Sequence, residues 1–317
     1  MSANNVYVFS ENAALARELL NGARTIADAV GSSVVFLAID GDESAEGMIK
    51  YGADTVKVLD VLAGKPLEAY VHAIIDALDE NPKAILIGAT AHGKPLAGLL
   101  SATLSTGCSA EIRGLSMVEG EIQVTRMKYG GAALSTDICT TAPHVITATR
   151  MVFEMPAEDA SRTGEVLRVQ KSSAEACTYQ LDGFEDKSSD SVDLTTAKKI
   201  ICIGRGVKAE KDLEMFRELA EMIGAELGCT APVAKDNGWF GVERYIGLSG
   251  KTVKPQLYFI VGSSGQIQHM AGVSGSKIVL SVNHDPVAPV FNQSDYSVVA
   301  NLYDFMPAFI AELKGIL

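Results

Sequence analysis

The chain has 317 residues, 47% hydrophobic and 21% charged, which is enough to bury the cores of two ordinary domains. Its 39 acidic against 27 basic residues give a net charge of −12, which repels nucleic acid and anionic membrane surfaces and excludes a general affinity for either. No apolar run approaches the roughly 20 residues of a membrane helix, and MSANNVYVFSENAALARELL reads as neither signal nor transit peptide, so a cytoplasmic protein whose folded part begins at once is expected.

The first half alternates short apolar runs with helical patterns. VYVF (6–9) precedes ENAALARELLNGARTIADAV (11–30), where Ala14, Leu15, Leu19, Ile26 and Val30 recur at helical spacing. VVFLAI (34–39), VKVL (56–59), the helical LEAYVHAIIDAL (67–78) and AILIG (84–88) continue the alternation. Apolar strands divided by helices imply a parallel sheet covered on both faces. From about Gly107 to Arg150 strand follows strand. EIRGLSMVEGEIQVTRMKY (111–129) reads as a hairpin around Glu119 and Gly120, and HVITATR follows Pro143. An antiparallel extension of the parallel sheet is expected.

KSSAEACTYQLDGFEDKSSDSVDLTTAK (171–198) has linker composition, with DKSSDSVD as the expected hinge. It divides the chain into an N-terminal α/β domain, 1–188, and a C-terminal domain, 189–317. The second domain opens with KIICIGRG (199–206), a strand ending in a glycine turn. LEMFRELAEMIG is an amphipathic helix closed by Gly224, LYFIVG and KIVLSVN are buried strands, and YDFMPAFIAELKGIL is a closing helix. The fold class is thus α/β: a mostly parallel N-terminal sheet, a linker, then a doubly wound, Rossmann-like C-terminal domain. Cys108, Cys139, Cys177, Cys202 and Cys229 are widely spaced, and the five histidines have no ligand spacing. Neither a disulfide framework, an iron–sulfur site nor a protein-built metal site is expected.

Doubly wound sheets bind ligands at the carboxyl ends of their strands. Five segments fall there: GRG (204–206), GCTAP (228–232), GLSGK (247–251), GSSGQIQH (262–269) and NHDPVAP (283–289). Each supplies glycine, hydroxyl or amide groups suited to phosphate oxygens. GxGxxG is missing, and GLSGK is not a P-loop. Any one of them is an ordinary turn; five on one sheet edge point to a ligand.

The series GRG, GLSGKTVKPQLY, VGSSGQIQHMAG, NHDPVAPVF and SDYSVVANLYDFMP is similar in order and spacing to the α subunit of electron-transfer flavoproteins. The resemblance is weaker before Asp193, where GATAHGKPLAGLLSATL is the best stretch. It implies an FAD-binding C-terminal domain, an obligate smaller β subunit contacted by the N-terminal domain, and a mobile FAD domain. The implied role is an electron carrier rather than an enzyme, taking electrons from a flavin dehydrogenase of the acyl-CoA dehydrogenase type and passing them on singly. Whether such a complex bifurcates electrons depends on a flavin in the β subunit. By the same resemblance Arg205 contacts FAD and Thr230 its pyrophosphate. Ile246, Gly247, Leu248 and Ser249 form the turn at the flavin ring and its N5. Ser264, Gly265, Gln266, Ile267, Gln268 and His269 wrap the pyrophosphate, ribityl chain and flavin edge, with His269 near the pyrimidine carbonyl. Asn283 lies toward the adenosine end, and Asn301 and Leu302 toward the adenine ribose.

Three positions depart from the family pattern: Ala231 replaces an arginine over the flavin ring, Leu248 a glutamine in the N5 turn, and Asn301 an aspartate. Losing the arginine implies a lower flavin potential, because the ring gains negative charge on reduction. Two rival readings remain from the residues alone. One is a nicotinamide-dependent dehydrogenase, which lacks both GxGxxG and the acidic ribose partner. The other is a nucleotide sensor in which ATAHGKP (89–95) receives a phosphate; against it, Thr90 and His92 serve simply to cap the helix near Pro95.

Overall fold

The computed structural model describes residues 4–42, 44–62, 64–169, 180–183 and 192–316. The linker assigned to 171–198, its DKSSDSVD hinge and the boundary at 188 lie largely outside these residues. The chain divides into two compact units: Met1–Lys128 with Leu134–Phe184, and Tyr129–Ala133 with Glu185–Leu317.

Unit 1 is built on strands β1 (Val6–Phe9), β2 (Val34–Ile39), β3 (Thr55–Leu59), β4 (Ala84–Gly88), β5 (Cys108–Ile112), β9 (His144–Ala148) and β10 (Glu165–Val169). They form one sheet in the order β10-β3-β2-β1-β4-β9-β5, every pair parallel. Residues of β1 alternate between two cores. Val6 and Val8 face α1 (Ala13–Val30), while Tyr7 and Phe9 face α2 (Val71–Ala77) and α3 (Gly93–Thr103), and all four are fully buried or nearly so. The hairpin at Glu119 and Gly120 forms, with positive φ of 52° and 84° at its two turn residues. It joins β6 (Gly114–Val118) antiparallel to β7 (Glu121–Lys128) in a separate three-stranded sheet completed by β8 (Ala133–Ile138). The antiparallel part therefore has its own sheet instead of extending the parallel one, and HVITATR supplies β9, a parallel strand inside the main sheet.

Unit 2 has five parallel strands, β11 (Lys199–Ile203), β12 (Glu226–Cys229), β13 (Leu257–Val261), β14 (Ile278–Asn283) and β15 (Tyr296–Val299), in the order β12-β11-β13-β14-β15. Helices α4 (Glu214–Ile223) and α7 (Leu302–Ile316) cover one face, where Ile201, Phe216, Phe259 and Met306 are at most 1% exposed. Burying each such side chain stabilises the unit by about 1.5–3 kcal/mol. Leu302, Met306 and Ile310 line the buried stripe of α7 at four-residue spacing. On the other face Ile200, Cys202, Tyr258 and Ile260 pack with Ile246, Met270 and Val279. The order reverses between β11 and β13, which makes their carboxyl ends the topological switch point.

Candidate cofactor site

The loops that leave β11, β12, β13, β14 and β15 at their carboxyl ends surround one cleft of about 920 Å³. Its floor exists because two glycine turns touch backbone to backbone. The Gly206 N–H donates to the Gly262 carbonyl at 2.8 Å, and a Cβ on Gly204 would lie 2.4 Å from that same oxygen. Only glycine tolerates this approach.

Nine of the residues singled out in the sequence line the cleft: Arg205, Thr230, Ser264, Gln266, Gln268, His269, Asn283, Asn301 and Leu302. Thr230 ends β12 and precedes the short helix α5 (Ala231–Lys235); its hydroxyl is buried and has no protein partner. Asn283 is engaged on both sides, donating to Ser263 O at 2.7 Å and accepting from Asp285 N at 2.9 Å, so it fixes two loops to each other. Asn301 precedes α7, and its side chain accepts from Tyr303 N at 3.0 Å. Arg205 is exposed and makes no ion pair among the described residues.

His269 lies in α6 (Ile267–Met270) and is 8% exposed. Its Nε2 is 2.9 Å from Tyr258 Oη and 3.8 Å from Cys202 Sγ, and the ring also bonds the backbone of Ile246. Burial lowers its pKa to about 4, with the Ile246 bond opposing. The ring is thus neutral near pH 7 and held from behind by the core. Donating to a ligand in the cleft requires it to exchange one of those bonds.

The other six residues do not line the cleft. Ile246 is in the core, Gly247, Leu248 and Ser249 form a turn held by a bond from Leu248 N to Gln268 O at 2.7 Å, Gly265 packs on Val290, and Ile267 is half-exposed. Tyr245, Lys208, Tyr303 and His284 line it instead, and sequence reasoning passed over all four. Lys208 follows GRG by two positions, and its N–H donates to Tyr303 Oη at 2.8 Å. That hydroxyl in turn donates to Asp212 at 2.7 Å. Position beside a recognised turn was the available signal for Lys208, Tyr245 and His284.

In unit 1 the ATAHGKP segment behaves as a helix start. Thr90 Oγ1 accepts from Gly93 N at 2.8 Å, His92 Nδ1 lies 3.1 Å from Glu68 Oε1, and Lys94 pairs with Glu111. No group of side chains able to hold a metal occurs among the described residues, and no helix there is long and apolar enough to cross a membrane.

An open cleft at a switch point, walled by turn backbone, two cationic side chains and an unpartnered buried hydroxyl, defines the second unit as a carrier of a nucleotide-type cofactor. The family model for the electron transfer flavoprotein FAD-binding domain matches residues 193–274, and that for the electron transfer flavoprotein domain matches residues 7–174. The chain is 35% identical over 318 residues to YdiR of Escherichia coli (strain K12), named as a candidate electron transfer flavoprotein subunit, with 98% of each chain covered. It is 34% identical over 316 residues to Protein FixB of Salmonella typhimurium, again over 98% of each. The chain belongs to the electron transfer flavoprotein family as an α-type subunit, and its cofactor is FAD. The cleft suits FAD: the orphaned Thr230 hydroxyl can donate to phosphate or ribityl oxygen, and Arg205 and Lys208 would offset the charge of a pyrophosphate placed there.

Proposed function

We propose that this chain is the FAD-carrying half of a heterodimer with a β subunit, shuttling electrons between a flavin dehydrogenase of the acyl-CoA dehydrogenase type and other redox partners. The observation that carries the reading is the convergence of the five strand-end loops on one cleft, with Thr230 Oγ1 buried and unpartnered in its wall. In this reading Arg205, Lys208 and Thr230 hold the pyrophosphate, and Ser264, Gln266 and Gln268 follow the ribityl chain. Asn283, Asn301 and Leu302 receive the adenosine end beside β14 and β15. The flavin supplies reversible one-electron chemistry when bound; the chain's residues orient it, shield one edge from water and hold fixed hydrogen bonds around it. Unit 1 is the part that docks on the β subunit.

The test is co-expression with a β-type subunit. A yellow heterodimer with one FAD, reduced by a substrate-charged acyl-CoA dehydrogenase, is the expected result. Two flavins per heterodimer would extend the reading to a bifurcating complex. A colourless chain that turns over NAD(H) alone would sink it.

A further inference from the structure

The loops that leave β11 and β15 are separated in the sheet by β13 and β14, yet one side chain ties them together. Tyr303, in the first turn of α7, uses one hydroxyl for two bonds: it accepts from Lys208 N at 2.8 Å and donates to Asp212 Oδ2 at 2.7 Å. The Asp212 carboxylate also accepts from Ala209 N at 3.2 Å, which closes the loop after β11 on itself. At its backbone end Tyr303 N donates to Asn301 Oδ1 at 3.0 Å, and the Asn301 carbonyl accepts from Asp304 N and Phe305 N as α7 begins. The Lys208 ammonium stands 5.9 Å from the centre of the Tyr303 ring. Burial and the bond to Asp212 raise the pKa of the phenol, so it keeps its proton well above neutral pH. Lys208, Asn301 and Tyr303 line the cleft, and Asp212 stands behind them.

We infer that Tyr303 and Asp212 are positioning residues that make the cleft selective for a dinucleotide: the latch they form holds Lys208, at the pyrophosphate, and Asn301, at the adenosine end, at one separation. The inference rests on the FAD reading of the cleft. A ligand that touches both walls keeps the full energy of both contacts only where their spacing is set in advance, because otherwise binding must itself order the loop. A mononucleotide ends at its phosphate, reaches one wall and gains nothing from that spacing. The loop after β11 needs such a tether, because Gly204 and Gly206 leave its start without the restraint that side chains impose. Lys208 is exposed, and Asp212 and Tyr303 are half-buried, so water can replace the bonds of the latch in the FAD-free protein. The latch therefore contributes to affinity more than to stability.

The experiment titrates the cofactor-stripped heterodimer with FAD and, separately, with FMN, both followed by flavin fluorescence. Tyr303→Phe should weaken FAD about fivefold and FMN by less than about twofold, so that the preference for the dinucleotide narrows. Asp212→Ala should weaken FAD by a similar factor, and the double variant should bind no worse than the weaker-binding single, because both residues act through one latch. Asp212→Asn keeps an acceptor oxygen and should recover most of the loss. The melting temperature of FAD-free Tyr303→Phe should stay at the wild-type value. Wild-type FAD affinity in Tyr303→Phe overturns the inference while leaving the FAD reading intact. Equal losses for FAD and FMN, additive losses in the double variant, or a fall in the FAD-free melting temperature of Tyr303→Phe overturn it in the same way. A wild-type heterodimer that takes up no FAD overturns both.

Discussion

The two parallel sheets of this chain end differently at corresponding places. Each reverses direction beside its first strand, β1 in unit 1 and β11 in unit 2. In unit 1 the chain leaves β1 through Ser10, and Ser10 and Leu15 fill the space over Gly88 at the end of β4. A Cβ there would lie 2.5 Å from Ser10 Oγ and 2.8 Å from Leu15 Cδ2. Beside them Glu18, 3% exposed, pairs with Arg150 and accepts from Met151 N, which holds the segment after β9 against α1. In unit 2 the chain leaves β11 through Gly204 and Gly206 and meets bare backbone at Gly262, so the strand ends stay open. Topology sets where a ligand can sit. A few side chains in the first turn decide whether the place is free.

The largest effect is expected from closing the open edge. Gly204→Val sets a branched side chain 2.4 Å from a backbone oxygen that cannot rotate aside. It should cost unit 2 about 4–5 kcal/mol and abolish FAD binding. Gly88→Ala meets the Ser10 side chain and the Leu15 methyl, side-chain atoms that can shift, and should cost unit 1 about 1–2 kcal/mol. Hydrogen exchange resolved by unit measures both, and equal losses would break the comparison. Next in size is Glu18→Ala, which leaves Arg150 without its carboxylate and Met151 N–H without its acceptor. A loss of about 3 kcal/mol confined to unit 1 is expected, with FAD affinity unchanged. Weakened FAD binding in this variant would show that the filled edge also serves the cofactor.

Acid should treat the two units alike. Each buries a neutral histidine whose pKa burial holds at about 4: His144 in unit 1, where the Lys83 charge adds to the effect, and His269 in unit 2. As pH falls below 6.5 the unfolded chain takes up protons that the folded chain refuses. The stability from each group is complete above pH 6.5 and is lost progressively toward pH 4. By pH 5 the loss is about 2 kcal/mol per unit. His269→Gln should flatten this response in unit 2 of the FAD-free protein and leave unit 1 unchanged. Equilibrium melts between pH 5 and 7.5 decide it, and a response that stays steep in unit 2 removes His269 as its source.

What the sequence made legible follows from burial. VYVF, VVFLAI, AILIG, KIICI and LYFIV are apolar on both faces because helices cover both, so their signal is continuous. HVITATR carried that same signal in β9, yet its neighbours in sequence, the hairpin strands, suggested an antiparallel context that its pairing with β4 contradicts. The edge strands β10, β12 and β15 are short, and most residues of β10 and β15 are exposed, so neither alternation nor a long apolar run marks them. At the site, glycine turns are visible because close backbone contact demands that residue. Tyr245 was marked only by its place beside a turn and Tyr303 by nothing, because an aromatic residue there reads the same whether it walls a cleft or packs a core.

The smallest expected effect probes the charge of the open edge. Ala231 begins α5 on the cleft wall, where the family resemblance places an arginine in relatives. Ala231→Arg adds a positive charge near a ring that becomes negative on reduction, so the reduced form is stabilised and the midpoint potential rises. With the site partly open to water the gain is about 1 kcal/mol, and added salt reduces it. Lys235, on the same short helix and over the Tyr245 ring, already brings a cation to this wall. The shift produced by Ala231→Arg should therefore be larger in a Lys235→Met background than in the wild type. Spectroelectrochemistry of the four heterodimers measures this. An unchanged or lowered potential in Ala231→Arg rejects the charge argument, and a shift of the same size in both backgrounds shows that the Lys235 ammonium does not reach the ring.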